Sequence, residues 1–173
     1  MKKLFLILAL GCVLIPCAQS QSAWNEAAEK KAILATLEQE TACFYQRNYD
    51  CWKATWAQTD YVFQAWNNDN GTFDASTGWK AVDNRIGTFI KEHPVAAGGS
   101  SHPKVERRNM IFKFYGDNMV YMTWDQYNSD KEVKYYLLSK EVRMLEKQQG
   151  QWKIVNVSAF WDYDNKIPVG DLK

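Results

Sequence analysis

The sequence predicts an α+β fold in which three N-terminal helices gather on one face of a curved antiparallel sheet that wraps round them. Three observations carry this. Before His93 most apolar residues recur three or four apart, the spacing of an amphipathic helix. After Lys104 four long runs of strand formers follow one another, separated only by short turn sequences. Between them in importance stands the aromatic-rich stretch from Thr41 to Trp66, which reverses at Arg47-Asn48-Tyr49-Asp50 and gives the sheet something to close over.

The chain opens with Lys2 and Lys3, an apolar run from Leu4 to Ile15, and small residues at Ala18 and Ser20. That is the plan of a secretory signal peptide cleaved after Ser20, with Ser22 as the alternative. The run is shorter than the roughly 20 apolar residues that cross a bilayer. Pro16 stands where a lipidated site has a small residue, which argues against an anchor on Cys17. The chain thus divides into a signal peptide, residues 1–20, and a single domain, residues 21–173. At about 150 residues the latter is the size of one domain, and its destination is periplasmic or extracellular. With 21 basic and 20 acidic residues and no long basic run, it lacks the concentrated charge that displaces counterions from nucleic acid.

Asn25 is the expected cap of the first helix, with Glu26 and Glu29 at its positive end. Ile33, Leu34, Leu37, Thr41, Phe44 and Tyr45 form one face, and the helix should stop near Asn48. Asp50 is the expected cap of a short second helix that stacks Trp52 on Trp56. Residues 61–66 read as a strand, 67–71 as a turn and 72–75 as a short returning strand. Ser76 or Thr77 then caps a third helix, whose stripe is Trp79, Val82, Ile86, Phe89 and Ile90. His93-Pro94 ends it, because the residue before proline is pushed out of helical geometry. After a glycine- and serine-containing loop, residues 105–115, 119–128, 133–147 and 151–161 form an antiparallel meander.

Two cysteines follow the leader, Cys43 and Cys51. On one continuous helix they would stand about 12 Å apart, beyond disulfide reach. The reversal between them would bring them closer, so a disulfide and two buried thiols both remain open. Neither cysteine has a metal-binding spacing, and no phosphate loop or nucleophile elbow is present, so no metal and no cofactor is expected.

Several local signatures point further. They are Ala42-Cys43-Phe44-Tyr45-Gln46-Arg47-Asn48-Tyr49-Asp50 followed by Trp52 and Trp56, then Asp60-Tyr61-Val62 and Gly78-Trp79. Gly116-Asp117-Asn118-Met119-Val120 and Gly150-Gln151-Trp152-Lys153-Ile154-Val155-Asn156-Val157 complete the set. Together they resemble the nuclear transport factor 2-like (NTF2-like) superfamily, in particular its secreted SnoaL-like or DUF-type members. The resemblance spans almost the whole mature chain. It implies a cone with a pocket at its wide end and a dimer formed through the outer sheet face. It implies no particular activity, because this fold serves enzymes, binders and assembly modules alike. Ketosteroid isomerases of similar form use an aspartate base and an oxyanion hole of tyrosine and protonated aspartate. Those positions fall at Ala65 or Trp66, near Ala42 and near Lys140, and none carries the required group.

The aromatic content is the positive signal. Tyr45, Trp56, Trp66, Trp79, Tyr121, Trp124 and Trp161 are the candidates to line a pocket for a small apolar or planar molecule, against the competing use of core packing. Trp56 is expected to serve both. Arg107 and Arg143 lie between apolar residues on strands, where they face either the pocket or the outer surface. Asp60, Asp125, Glu141 and Asp162 are carboxylates beside aromatic strands. Burial would suit them to acid–base work; turns explain Asp60 and Asp162, and solvated faces explain Asp125 and Glu141. His93 and His102 flank the loop and suit a surface. Three functions remain: a secreted small-molecule binder, a cofactor-independent isomerase, dehydratase or hydrolase, and a non-catalytic accessory domain. Apolar residues at both parities of the late strands, Met110, Phe112 and Phe114 against Ile111, also imply a homodimer through the outer face.

Overall fold

In the computed structural model, Asn25 accepts a hydrogen bond from the Ala28 amide at 3.1 Å and starts α1 (Glu26–Tyr45), as its sequence requires. The structure describes residues 24–97, 99 and 104–172. The leader, its cleavage site, Cys17 and His102 lie outside the described residues. α1 stops before Asn48 because Arg47 turns left-handed, with φ 58°, and the Arg47 and Asn48 amides fold back onto the Phe44 and Cys43 carbonyls. α2 (Tyr49–Ala54) is capped by Asn48, whose side chain accepts from the Cys51 amide at 3.1 Å. Asp50, the expected cap, sits one step inside, in the first turn.

The reversal settles the cysteines. Cys43 and Cys51 form a disulfide with their Cα atoms 5.6 Å apart. Closing so short a loop stabilises by about 2–3 kcal/mol in the chain-entropy treatment. Reduction is therefore expected to lower Tm in a calorimetric scan; an unchanged Tm would show that the Asn48 cap holds the turn unaided.

β1 (Phe63–Asn67) and β2 (Phe73–Thr77) form a hairpin. Ser76 and Thr77, expected as helix caps, belong to β2 instead. Gly78 makes the turn, with φ 80° and the Asp60 carbonyl so close that a Cβ would lie 3.2 Å from it. A helical rod follows: α3 (Trp79–Val82), a π-helical segment (Asp83–Gly87) and α4 (Thr88–Glu92). A Cβ on Gly87 would strike the Asp83 carboxylate and the Tyr49 ring, which are joined by a Tyr49 Oη to Asp83 hydrogen bond of 2.7 Å. The rod thus packs on α2 through a contact only glycine permits.

β3 (Val105–Tyr115), β4 (Met119–Ser129), β5 (Tyr135–Gln148) and β6 (Gln151–Pro168) form the expected antiparallel meander. The sheet order is β2-β1-β6-β5-β4-β3. β1 runs parallel to β6, so the sheet is mixed rather than wholly antiparallel, and it does not close. β6 continues past the expected end at Trp161, because β5 still offers a partner as far as the Tyr135–Pro168 pair. Register shifts between Arg108 and Ile111, Leu137 and Leu138, and Met144 and Leu145 bend the long strands. The core fills the resulting hollow: Ile33 and Leu37 of α1, Trp52 of α2, Trp56, Val82, Ile90, and Val120, Met122, Leu145 and Ile154 of the sheet. Among the described residues no helix is long and apolar enough to cross a membrane.

Candidate functional site

Strand side chains alternate between faces, and the pairing register stacks the inward ones into rungs. Met122, Arg143, Val157 and Gln64 lie across one rung, and Trp124, Glu141, Ala159 and Trp66 across the next. Gln126, Ser139 and Trp161 form a third. Over these rungs α1 presents Glu40, Thr41, Phe44 and Tyr45, and the π segment presents Ile86. The cavity they line opens to solvent and holds about 280 Å³. Its walls also include Asn128 and Tyr163.

One side of the cavity is a hydrogen-bonded row. Arg107 Nε and Trp124 Nε1 each donate to Gln126 Oε1 at 3.2 Å. Gln126 Nε2 donates to Asn128 Oδ1 at 3.0 Å, Asn128 Nδ2 to Ser139 Oγ at 3.2 Å, and Ser139 Oγ to Glu141 Oε1 at 2.6 Å. The row ends on a carboxylate that is 1% exposed. Arg143 Nη1 lies 2.5 Å from Glu141 Oε2, an electrostatic contact too poorly aligned to count as a hydrogen bond. The Arg143 guanidinium also sits over the Trp124 ring at 5.3 Å. Arg107 is held by Glu38 and by Thr41 Oγ1, the latter at 2.9 Å.

The opposite wall carries a second carboxylate. Glu40 accepts from Trp52 Nε1 at 3.2 Å, its one hydrogen-bond donor among the described residues. Burial pushes its carboxyl above the usual range, outweighing the pull of Arg143, the Trp52 hydrogen bond and Arg107, and nearby Glu141 adds to the rise. Burial likewise drives the Tyr45 phenol up to about 12, with Glu40 and Glu141 contributing. Gln64 is 7% exposed, and its Oε1 has no partner among the described residues.

Of the residues singled out from the sequence, Tyr45, Trp66 and Trp161 line this cavity. Trp56 does not: it packs inside a tryptophan cluster with Trp52 at 5.8 Å and Trp79 at 6.5 Å. Trp79 stacks on Trp52 at 5.7 Å in that same cluster. Trp124 lies on the inner face beneath Arg143, behind the wall. Tyr121 is one residue out of phase and stands on the opposite face of the sheet. Both arginines face inward. Glu141 is buried in the wall, which corrects its reading as a solvated residue. Lys140, one position away, points to the outer face and pairs with Asp125, which also accepts from Asn109 at 2.7 Å. Asp60 is exposed, and Asp162 accepts from Asn165 at 2.8 Å.

Glu40, Gln64, Gln126 and Asn128 escaped the sequence reading. The signal for Glu40 was present: it falls three residues after Leu37 and four before Phe44, on the apolar stripe of α1. Gln126 and Asn128 share parity with buried Met122 and Trp124 on β4, and Gln64 with buried Val62 just before β1.

No protein-family model matches the chain, and no curated protein does. Solved structures do match in fold. An NTF2-like protein of unknown function from Pseudomonas putida is 16% identical, with 86% of this chain and 98% of that one covered at a TM-score of 0.56. An NTF-2 like protein of unknown function from Shewanella oneidensis is 11% identical over 76% of this chain and 98% of that one, also at 0.56. A hexachlorocyclohexane dehydrochlorinase, LinA-type3, from Novosphingobium barchaimii is 13% identical over 82% and 91%, at 0.54. Likeness at this identity speaks for the fold alone.

Proposed function

On the NTF2-like fold that this chain adopts, we propose a small-molecule-binding protein whose ligand sits between α1 and the inner face of the sheet. The observation that carries this reading is convergence. Phe44, Tyr45, Trp66, Trp161 and Tyr163 meet the polar row ending at Glu141 in one cavity. Apolar walls with a few fixed polar groups are the ordinary construction of a ligand site, and about 280 Å³ lies just below the ~300–1,000 Å³ typical of one. The ligand is accordingly of one or two rings. The test is a fluorescence titration with 2-naphthol on the native protein and on Ala159→Leu, which fills the cavity floor. Saturable uptake that weakens severalfold in the variant is expected; equal uptake by both sinks the reading.

A cofactor-independent proton-transfer enzyme is the second reading, favoured by one observation, the raised carboxyl of Glu40 inside the cavity. A buried carboxylate base accelerates the ring opening of 5-nitrobenzisoxazole. Turnover above buffer that disappears in Glu40→Gln is the expected sign; a rate equal to buffer counts against Glu40 as a base.

The same proposal places the protein outside the cytoplasm, beginning at Gln21, with the disulfide in keeping with an oxidising compartment. N-terminal sequencing of exported protein checks this, and an intact Met1 refutes it. It also has the chain pair through its outer sheet face, where Ile111 is 62% and Phe160 60% exposed. Sedimentation at micromolar concentration should find a dimer that Ile111→Asp combined with Phe160→Asp converts to monomer; a native monomer counts against the pairing.

A further inference from the structure

The two arginines of the site are both spoken for. Arg143 is matched by Glu141 and directs Nη1 toward the Val142 and Ser158 carbonyls, each at 3.4 Å. Arg107 is matched by Glu38 and bonded to Gln126 and Thr41. Glu40 has no ion-pair partner among the described residues and keeps only the Trp52 indole. Gln64 lies in the wall beside it, with its carbonyl oxygen buried and without a partner among the described residues. The cavity wall therefore carries one carboxylate, Glu40, that feels Arg143 and Arg107 at a distance but forms no ion pair among the described residues.

The aromatic walls have the same preference. Ring faces attract cations, by about 0.5–2 kcal/mol depending on desolvation. Trp66 already carries the Arg85 guanidinium at 5.2 Å, and that charge is balanced by Asp74 at 2.5 Å. Trp161 and Tyr163, stacked with centroids 5.9 Å apart, carry no cation among the described residues.

We infer that the cavity takes a small organic ammonium, its charge held by Glu40 and its body set against Trp161 and Tyr163. The inference rests on the small-molecule reading above and specifies its ligand. An arriving ammonium favours the ionised form of Glu40. The groups that bear on that carboxyl are Arg143 and Glu141 of β5, Arg107 of β3, Trp52 of α2 and Tyr45 of α1. Because burial holds the Glu40 carboxyl above its ordinary range, affinity for the ammonium rises with pH through that titration and levels off above it. Binding releases a proton wherever Glu40 starts protonated.

Isothermal titration of the native protein with benzylamine, benzyl alcohol and benzoate tests this, over a pH series and in buffers of different ionisation enthalpy. Benzylamine should bind about tenfold more tightly than benzyl alcohol at the alkaline end of the series, the effect of one added ion pair or cation–π contact. The preference should shrink as pH falls, and proton release should accompany benzylamine alone. Glu40→Gln should abolish the preference for benzylamine over benzyl alcohol. Equal binding of benzyl alcohol, or tighter binding of benzoate, overturns the ammonium while the cavity reading stands. A preference independent of pH and without proton release removes Glu40 from it and overturns the proposal as stated. No binding of any of the three at millimolar concentration removes the small-molecule reading itself.

Discussion

Trp56→Ala will lower stability by about 3–5 kcal/mol, as large aromatic truncations in cores do, and will leave the affinity of a cavity probe per folded molecule unchanged. Trp56 is 1% exposed, packs against both Trp52 and Trp79, and is tied to the sheet through its backbone bridge to Ile154. It stands behind the cavity, not in its wall. Its indole nitrogen is buried without a partner among the described residues. Trp56→Phe therefore removes an unsatisfied donor together with some ring area, and the two effects offset, holding the net cost below about 1.5 kcal/mol. Trp52→Phe differs: it takes away the hydrogen bond to Glu40, should cost more, and should raise the Glu40 carboxyl further. Urea unfolding combined with a 2-naphthol titration of the folded fraction separates these outcomes. A Trp56→Ala variant that loses probe affinity at full folding would return Trp56 to the cavity wall.

Arg143→Met will cost about 3–5 kcal/mol, because it strands Glu141 as an uncompensated buried charge. The loss belongs to the stranded carboxylate and not to the ion pair as such. The double variant Glu141→Gln with Arg143→Met removes both charges and keeps an acceptor for Ser139, so it should recover most of the stability. The quantity to measure is the coupling energy from urea midpoints of the two single variants and the double. Additive losses would mean that the pair is solvated and that the polar row is not a closed unit.

The order of elements was legible because each rests on local chemistry: the Asn25 cap, the stripe of α1, and the short turns between late strands. What local chemistry could not decide was choice among equivalent neighbours. Asn48 and Asp50 both suit an N-cap, and the left-handed turn at Arg47 selected the first. Ser76 and Thr77 are good caps on paper, but pairing with β1 claimed them for β2. The parallel docking of β1 on β6 has no local signature at all. For the site, Tyr45, Trp66 and Trp161 were within reach because aromatic residues announce themselves. Tyr121 was misplaced because one residue of phase on a strand reverses the face, and no isolated strand reveals which parity points inward. Glu40 was passed over because a glutamate on a helix normally faces water; here it stands on the apolar stripe, beneath the Trp52 indole.

β6 lies between β5 and the β1–β2 hairpin, with β1 joined to it in parallel at Phe63 and Asn156, about ninety residues apart in the chain. Until that last strand exists, β1 and β2 are a lone hairpin, and such hairpins are marginal in water. Acquisition of the native state is thus governed by a long-range closure, which slows folding and makes it all-or-none at the C-terminal end. A chain cut short before β6 leaves the edges of β1 and β5 unpaired, each a template for pairing with another copy. Truncated products of this protein should therefore aggregate or be degraded rather than persist as partly folded domains.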